Sequence, residues 1–279
     1  MMDIVEKGNY LQDKYDRLTE LLRACGSVAV AFSGGVDSTF LLAAARETLG
    51  DRAAAVNIRS VFLPERETEE AAAFCGSRGI PLLMLERDIL EVPGVAENPS
   101  DRCYLCKKAI FTEVIRTARE AGYACVAEGS NTDDVGDYRP GMRAVEELGV
   151  RSPLLEAGLN KNEIRALSVR MGLPTASKPS MACLASRIPY GERITEEKLL
   201  LADRAEQILA QQGFSQYRVR VHGTVARIEV LPEDIPRFGD EDLRREVYEK
   251  FRSIGFSYTA LDLLGYRTGS LNETLPENT

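Results

Sequence analysis

At residues 33–38 the chain reads Ser33-Gly34-Gly35-Val36-Asp37-Ser38, between an apolar run at 28–32 and a second one at 39–43. This order predicts a strand, a glycine-rich turn and the start of a helix. The glycines let the backbone approach a ligand closely, and the N–H groups of a helix N-terminus attract an anion such as phosphate. Asp37 suits this setting if a cation such as Mg²⁺ links it to the phosphates. The alternative is a plain surface turn.

Strand and helix patterns alternate through the first part of the chain. We expect strands near residues 28–32, 53–58, 81–85 and 124–127, with helices between them. The alternation predicts the α/β class, with a parallel sheet covered by helices on both faces. Ligands bind such sheets at the carboxyl ends of the strands, where both Ser33 and Glu128 would emerge.

A second polar motif, Glu128-Gly129-Ser130-Asn131-Thr132-Asp133-Asp134, directly follows the fourth strand. Its carboxylate and amide groups could hold a ribose, a base edge or Mg²⁺. Clusters of this composition are often plain turns. Because a phosphate loop lies on a neighbouring strand, we interpret this motif as nucleotide-binding, with Glu128, Asn131 and Asp133 in contact with ATP. We also expect Arg139 to hold a loop against the nucleotide.

Composition limits the classes of function. The chain has 279 residues, 44% of them apolar and 28% charged, which is typical of a soluble globular protein. No segment approaches the roughly 20 apolar residues of a membrane-spanning helix, and the charged start of the sequence lacks the apolar core of an export signal. We therefore expect a cytoplasmic protein. The net charge of −8 argues against a nucleic-acid surface, and the single histidine, His222, leaves histidine-rich metal sites unsupported.

The six cysteines of such a protein indicate thiols or metal ligands rather than disulfides. Cys103 and Cys106 form a CxxC pair, which can bind zinc, form a redox disulfide or ligate an iron–sulfur cluster. Cys183 lies in an irregular segment between Lys178 and Arg187, which would favour its thiolate. Three cysteines without a fourth ligand suit a cubane cluster with one open iron. Ordinary thiols at the start of a helix are the alternative for the CxxC pair.

Two runs of period-two alternation flank His222-Gly223 and predict a pair of strands with one apolar face. The opposite face collects Arg218 and Arg220 on one strand and Arg227 and Glu229 on the other. Paired arginines suit recognition of phosphate or carboxylate. The alternative is a solvated sheet face. We expect His222 to be structural rather than catalytic.

The Ser33–Ser38 loop lacks the Gly-Lys-Ser/Thr of a Walker A loop and the spacing of a dinucleotide GxGxxG motif. It resembles the PP-loop of ATP pyrophosphatases, enzymes that split ATP between the α and β phosphates. Together with the Glu128–Asp134 segment, the Lys178–Arg187 segment around Cys183 and Tyr217-Arg218-Val219-Arg220, it is similar to the LarE-type sulfur transferases of that superfamily. The Cys183 segment is the specific part of this resemblance, which covers nearly the whole chain.

The resemblance implies a five-stranded parallel sheet with a small α/β C-terminal domain. We accordingly expect a PP-loop domain at 1–188, a substrate-binding and oligomerisation domain at 189–272 and a flexible tail at 273–279. ATP and its phosphates would be bound by Ser33, Gly34, Gly35, Asp37, Ser38, Glu128, Asn131 and Asp133, with Mg²⁺ on Asp37. By resemblance, the substrate phosphate would be bound by Arg218, Arg220 and Arg267, with Glu229 alongside.

The implied reaction is ATP-dependent adenylation of the carboxylates of pyridinium-3,5-biscarboxylic acid mononucleotide and their conversion to thiocarboxylates, for the nickel-pincer nucleotide cofactor. In one variant of the family a lone cysteine, matching Cys183, gives up its own sulfur and becomes dehydroalanine. In the other, three cysteines hold a [4Fe–4S] cluster whose open iron carries a sulfide. Cys103 and Cys106 favour the second variant here. Homo-oligomers, trimeric or hexameric, and a separate sulfide donor are also implied.

Three other functions share parts of the pattern. A tRNA-thiolating PP-loop enzyme would need an RNA-binding module or a basic surface, for which the net charge of −8 gives no support. An amidating ligase of the NAD- or GMP-synthetase kind would form AMP with ammonia and would not need Cys183. A nucleotide-sensing binding module would bind ATP and release no pyrophosphate.

Overall fold

The computed structural model describes residues 4–135, 140–179 and 182–275, with side chains described from residue 10 onward. Arg139, to which we assigned a loop-holding role, lies outside these residues, as does the end of the predicted tail. The described chain forms two compact units. The first comprises residues up to 60, 65–87 and 103–180, and the second comprises 61–64, 88–102 and the chain from 181 onward.

The first unit contains a parallel β-sheet and its covering helices. Its elements are α1 (Ile4–Cys25), β1 (Val28–Ala31), α2 (Val36–Leu49), β2 (Ala53–Arg59), α3 (Glu65–Ser77), β3 (Leu82–Glu86), α4 (Arg102–Glu120), β4 (Cys125–Ala127), α5 (Pro140–Glu147), α6 (Pro153–Glu156) and α7 (Lys161–Arg170). The strand order is β3-β2-β1-β4, and every pairing is parallel. The chain moves outward from β1 in one direction and returns to its other side for β4. The carboxyl ends of the neighbouring strands β1 and β4 therefore form the switch point at which such sheets bind ligands.

Alternating residues of β1 pack into two different apolar layers. Val28 and Val30 lie in a buried cluster with side chains of α1, α2, α3 and α7. Ala29 lies in a second cluster, with Phe111 of α4 and Val145 of α5. Since successive residues of a strand point to opposite faces, helices cover both faces of the sheet. The predicted α/β class and parallel sheet are confirmed.

The prediction of five strands in this sheet is wrong for the described residues. They contribute four strands to it. At the position beside β4, only a single parallel bridge forms, between Ala127 and Arg151. The N–H of Arg151 donates to Val126 O at 2.9 Å, and the N–H of Glu128 donates to Arg151 O at 2.9 Å. Pro153 then starts α6. Because proline has no N–H to donate to a ladder, the pairing ends after one residue.

The second unit holds a smaller mixed sheet. Its elements are α8 (Glu196–Gln211), β5 (Tyr217–His222), β6 (Val225–Val230), α9 (Glu241–Ile254) and β7 (Tyr258–Leu261). The β5–β6 pairing is antiparallel and the β6–β7 pairing is parallel. Gly223 has a φ of +58° in the turn that joins β5 to β6, a conformation that glycine adopts without strain. This small α/β unit agrees with the class predicted for the C-terminal part.

Some element bounds differ from the sequence expectation. The helix at the CxxC pair, α4, begins at Arg102 and includes both Cys103 and Cys106. The short helices α5 and α6 were not predicted, because eight and four residues are too few for a clear helical period. None of the described helices is long and apolar enough to span a membrane.

Candidate nucleotide site

The loop between β1 and α2 is a glycine turn closed by two serine side chains. Gly34 has a φ of +75°, whereas Gly35 is extended and caps α2. Ser33 Oγ and Ser38 Oγ lie 3.1 Å apart, and Ser38 Oγ donates to Gly35 O at 3.2 Å. These contacts close the loop on itself and direct it into the N-terminus of a 14-residue helix. Such a helix end attracts phosphate through its free N–H groups and its dipole.

The structure brings the loops after β1 and β4 together. A Cβ atom added to Gly129 would lie 3.1 Å from Ser38 N and 3.3 Å from Asp37 Cβ. Both distances are shorter than about nine in ten real Cβ contacts. Glycine at position 129 is therefore what allows the two predicted motifs to touch at the switch point.

Glu128 is buried and held by several hydrogen bonds. Its carboxylate accepts from Ser130 N at 3.0 Å, Ser130 Oγ at 2.9 Å and Ser152 Oγ at 2.6 Å. Lys107 Nζ lies 3.7 Å from Glu128 Oε2. The carboxylate is thus fixed in orientation beside the phosphate loop.

Asn131 and Asp133 shape the loop after β4. Asn131 Oδ1 accepts from Asp133 N at 2.9 Å, and Asn131 N donates to Asp134 Oδ2 at 2.9 Å. This reciprocal capping box starts the 3₁₀ turn at Thr132–Asp134. Asp133 Oδ2 accepts from Lys161 N at 2.9 Å, so the loop is joined to the start of α7.

Asp37 has one carboxylate oxygen paired and one without a partner. Oδ2 forms an ion pair with Lys161 Nζ. Oδ1 is buried and has no hydrogen-bond partner within the described residues. Burial raises the pKa of the Asp37 carboxyl, although the Lys161 ammonium opposes that effect. A partnerless carboxylate oxygen at a phosphate loop is the type of ligand that Mg²⁺ prefers. The residues present therefore fit the predicted magnesium ion.

Two lysines of this site carry roles that the sequence did not reveal. Lys161 was not predicted at all. We expected Lys178 to act on the Cys183 thiol, but its ammonium bonds Glu67 Oε2 at 2.6 Å and Glu70 Oε2 at 2.7 Å. It also approaches Gly34 O at 3.4 Å. Burial works against its charge, but the two carboxylates outweigh that effect and raise its pKa. The Asn160 cap marks where α7 begins, but it does not mark the contact between Lys161 and Asp37.

Five of the six cysteines fall into two groups, and the sixth, Cys125, is a half-buried residue of β4. Cys25 and Cys75 are buried, and burial raises the pKa of each thiol to about 11, as expected for unreactive core thiols. Cys103 and Cys106 are half-buried, three residues apart near the start of α4. Cys183, also half-buried, belongs to the second unit and caps the 3₁₀ turn Leu184–Arg187. No group of three or more His, Cys, Asp or Glu residues among those described is arranged to hold a metal ion.

Three of the four residues on the polar face of β5 and β6 are buried, namely Arg218, Arg220 and Glu229, so this is not a solvated sheet face. Arg220 forms a two-point ion pair with Glu229 at 3.0 and 2.8 Å, and donates to Ser186 O at 2.6 Å. Arg218 is also buried, and its burial lowers its pKa to about 10. Arg267 bonds Glu273 at 3.0 and 2.9 Å and Asp262 at 3.2 Å. These are the three arginines expected to bind the substrate phosphate.

The parallel sheet, the amide-rich loop at its switch point and the partnerless carboxylate in the first turn of α2 define a nucleotide-binding α/β unit of the PP-loop class. No family model matches the chain. It is 40% identical over 265 residues to an uncharacterized protein of Synechocystis sp., covering 95% of this chain and 99% of that protein. It is 36% identical over 267 residues to the pyridinium-3,5-bisthiocarboxylic acid mononucleotide synthase of Lactiplantibacillus plantarum, covering 95% and 96%. It is 28% identical over 242 residues to a tRNA-specific 2-thiouridylase of Zymomonas mobilis, covering 72% and 65%.

The chain therefore belongs to the LarE-type family of PP-loop proteins, which includes the pyridinium-3,5-bisthiocarboxylic acid mononucleotide synthase. The family resemblance inferred from the motifs is confirmed. Its assignment to the three-cysteine variant stays a prediction.

Proposed function

We propose that this protein is an ATP-dependent sulfur transferase that converts the carboxylates of pyridinium-3,5-biscarboxylic acid mononucleotide to thiocarboxylates. One observation carries the proposal: the chain matches a synthase of the bisthiocarboxylic product over almost its full length. The geometry of the Ser33–Ser38 loop supports the use of ATP. The proposal places the product in the biosynthesis of the nickel-pincer nucleotide cofactor.

The residues around the switch point would bind ATP. The backbone of the Ser33–Ser38 loop and the N-terminus of α2 would hold the phosphates, and the Glu128, Asn131 and Asp133 region would contact the nucleoside. Asp37 would hold Mg²⁺, which supplies positive charge to the phosphates when bound. The closure of the loop supports the phosphate assignment, and the partnerless oxygen of Asp37 supports the Mg²⁺ assignment.

The proposed chemistry has two displacements. A carboxylate oxygen of the substrate attacks the α-phosphorus of ATP, and pyrophosphate leaves with the electron pair of the broken P–O bond. The acyl adenylate then has AMP as a leaving group, where the free carboxylate had none. A sulfur nucleophile attacks the activated carbonyl carbon, and AMP departs. Positioning and charge stabilisation by the phosphate loop would carry most of the rate.

The substrate phosphate would be bound in the second unit by Arg218, Arg220 and Arg267. The ion pair between Arg220 and Glu229 supports this role, because it holds one guanidinium in a fixed orientation. Arg218 adds a buried positive charge on the same strand.

Two sulfur sources remain in the proposal. The preferred one is a [4Fe–4S] cluster on Cys103, Cys106 and Cys183, reloaded by a separate sulfide donor. The alternative is Cys183 itself: its thiolate would displace AMP, and elimination would leave dehydroalanine in the chain and the sulfur on the product. The proposal further includes a cytoplasmic location and a homo-oligomer, a trimer or a hexamer.

Mass spectrometry of the small molecules tests the function directly. The protein, Mg·ATP and the biscarboxylic mononucleotide should give AMP, pyrophosphate and a product in which sulfur has replaced oxygen. Cys183→Ala should form AMP slowly or not at all and should give no thiolated product. Sulfur transfer that survives in Cys183→Ala would contradict the proposal.

Transfer RNA serves as the second substrate in the same assay, because the chain also resembles a tRNA-specific 2-thiouridylase. Thiolation of tRNA without thiolation of the mononucleotide would replace the proposed function with that of a tRNA thiolase. Ammonia-dependent AMP formation that ignores Cys183 would indicate an amidating ligase.

A further inference from the structure

A buried arginine bonds the turn that follows Cys183. Arg102, which directly precedes Cys103 in the sequence, is 2% exposed, and its Nη1 donates to Ala185 O at 3.1 Å. We propose that Arg102 is a positioning residue for sulfur transfer, which holds the backbone next to Cys183 so that the Cys183 side chain keeps one direction. The inference rests on the proposed function and applies to both sulfur sources, because Cys183 takes part in each.

The first step of the argument is the set of arginines around this turn. Four backbone oxygens between residues 182 and 186 accept hydrogen bonds from three buried arginines of the same unit. The contacts are Arg187 to Ala182 O at 2.9 Å and to Cys183 O at 3.2 Å, Arg102 to Ala185 O at 3.1 Å, and Arg220 to Ser186 O at 2.6 Å. Hydrogen bonds from a charged donor are about twice as strong as those between neutral groups. The backbone that carries Cys183 is therefore held by charged donors on both sides of this residue.

The second step is the support of Arg102 itself. Arg102 Nη1 also donates to Oδ1 of Asn98, which is 0% exposed and has a φ of +57°. Asn98 Nδ2 donates to Pro189 O at 2.7 Å and to Ile188 O at 3.2 Å. The same side chain thus bonds the guanidinium and the segment that leaves the turn. Because a left-handed asparagine persists only where its surroundings hold it, Arg102 has a fixed support.

The third step is the distance that sulfur transfer requires. The sulfur nucleophile must come within about 3–3.5 Å of the activated carbonyl carbon, and a displacement of about 1 Å can lower the rate about 100-fold. One torsion separates the backbone of Cys183 from its sulfur, so the backbone largely sets where that sulfur lies. Formation of the acyl adenylate does not use this sulfur. A loosened turn should therefore slow the second displacement and leave the first unchanged.

Arg102→Met tests this separation of the two displacements. At saturating Mg·ATP and mononucleotide, formation of the thiolated product should fall about 100-fold. Exchange of labelled pyrophosphate into ATP, which reports the acyl adenylate alone, should keep its rate and its KM for ATP. Arg102→Lys, whose ammonium can donate to both oxygens, should lose less of the transfer and should also keep the pyrophosphate exchange.

Arg193→Met is the matched control, because Arg193 forms an exposed ion pair with Glu97 in the same unit. It should match the wild type in both assays. A parallel loss of pyrophosphate exchange and thiolation in Arg102→Met would indicate a general role in the fold and would overturn the proposal, as would unchanged thiolation. If Arg102→Met does not fold, Arg102→Lys is measured for the same difference between the two reactions.

Hydrogen–deuterium exchange of the free protein separates this inference from the proposed function. Leu184 N donates to Phe62 O at 2.9 Å, and Ser186 N donates to Cys183 O at 2.9 Å. These amides should take up deuterium faster in Arg102→Met than in the wild type, whereas the amides of α7 should not.

The deuterium measurement needs no substrate, so the two conclusions can fail independently. Wild-type protein that forms no thiolated product would contradict the sulfur-transfer function, and deuterium uptake at the turn would still decide whether Arg102 holds it. Equal uptake at the turn in Arg102→Met and the wild type would overturn the inference while the function stands.

Discussion

At the scale of single residues, Gly129 decides how closely the two ligand loops approach each other. Gly129→Ala places a methyl group 3.1 Å from Ser38 N, so the backbone at Ser38 must give by a few tenths of an ångström. We expect the affinity for Mg·ATP to fall about tenfold, because the added methyl group would displace the first turn of α2 at Asp37 and Ser38. Calorimetric titration of the variant with Mg·ATP measures this effect.

Gly76→Ala provides the matched control for that substitution. Gly76 lies within α3 in the same unit, and a Cβ atom there would meet nothing within 4 Å. Because alanine is favoured over glycine in a helix by about 0.8–1 kcal/mol, this variant should be more stable and should bind Mg·ATP as the wild type does. Equal affinities in Gly129→Ala and the wild type would show that the loops tolerate separation.

The sequence predicts the site residues unevenly, for physical reasons. The Ser33–Ser38 loop is a local pattern, in which the residues that bind are also the residues that set the backbone. Lys161 is different, because its position beside Asp37 depends on where α7 packs. A lysine at a helix start is common and carries no local mark of that contact, so the residues alone gave no reason to select it.

At the scale of elements, β5 and β6 show what periodicity can and cannot predict. The alternation indicated one apolar and one polar face, and the pairing of Arg220 with Arg227 and of Arg218 with Glu229 confirms the register of those faces. It could not reveal that the polar face is buried, because period two records only the contrast between faces. The fifth strand was implied by the family resemblance and not by periodicity, and only the bridge between Ala127 and Arg151 forms at its position.

The ion pair between Arg187 and Glu206 joins the Leu184–Arg187 turn to α8 without exposure to solvent. Both side chains are 0% exposed, and the guanidinium bonds the carboxylate at 2.7 and 2.9 Å. Glu206→Gln leaves a buried guanidinium without its counter-charge, so the free energy of unfolding should fall by about 3–5 kcal/mol. Urea denaturation followed by circular dichroism measures the change.

Glu120→Gln is the control for the loss of a carboxylate from an ion pair. Glu120 pairs with Arg116 on the exposed side of α4, where water screens the charges. The free energy of unfolding of Glu120→Gln should therefore match that of the wild type. If the free energy of unfolding falls as little in Glu206→Gln as in Glu120→Gln, the buried charge of Arg187 does not depend on Glu206.

The pH dependence of stability should include a contribution from Asp262, just after β7. Burial acts against its carboxylate, but the Leu264 N–H and the guanidinium groups of Arg267 and Arg227 outweigh it and lower the pKa below the ordinary value of 3.8. The unfolded chain therefore takes up this proton first. The stabilisation is present above pH 3.8 and is lost as the pH falls through the lowered folded pKa.

Asp262→Asn should remove that part of the acid dependence. Urea unfolding between about pH 6 and pH 3 should show a shallower loss of stability in the variant than in the wild type. Asp51→Asn, at a highly exposed position, should follow the wild-type curve. Parallel curves for Asp262→Asn and the wild type would place the acid sensitivity in other carboxylates.

At the scale of the whole molecule, the predicted chemistry is divided between two units. The nucleotide residues lie in the first unit, and the three arginines proposed for the substrate phosphate lie in the second. The cysteines are divided in the same way, with Cys103 and Cys106 in the first unit and Cys183 in the second. Sequence reasoning named these residues because each belongs to a local motif. It could not supply their spatial relation, which depends on the whole chain.

Iron analysis decides which sulfur source this divided chain uses. Cys103 and Cys106 lie three residues apart near the N-terminus of α4, so they share one helix face near a dipole that favours an anionic cluster. Protein purified without oxygen should therefore contain about four irons and matching acid-labile sulfide for each [4Fe–4S] cluster. Cys103→Ala should lose them, whereas Cys75→Ala, at a buried core thiol, should keep them. Iron-free protein that transfers one sulfur and gains the mass signature of dehydroalanine at Cys183 would instead make the cysteine itself the donor.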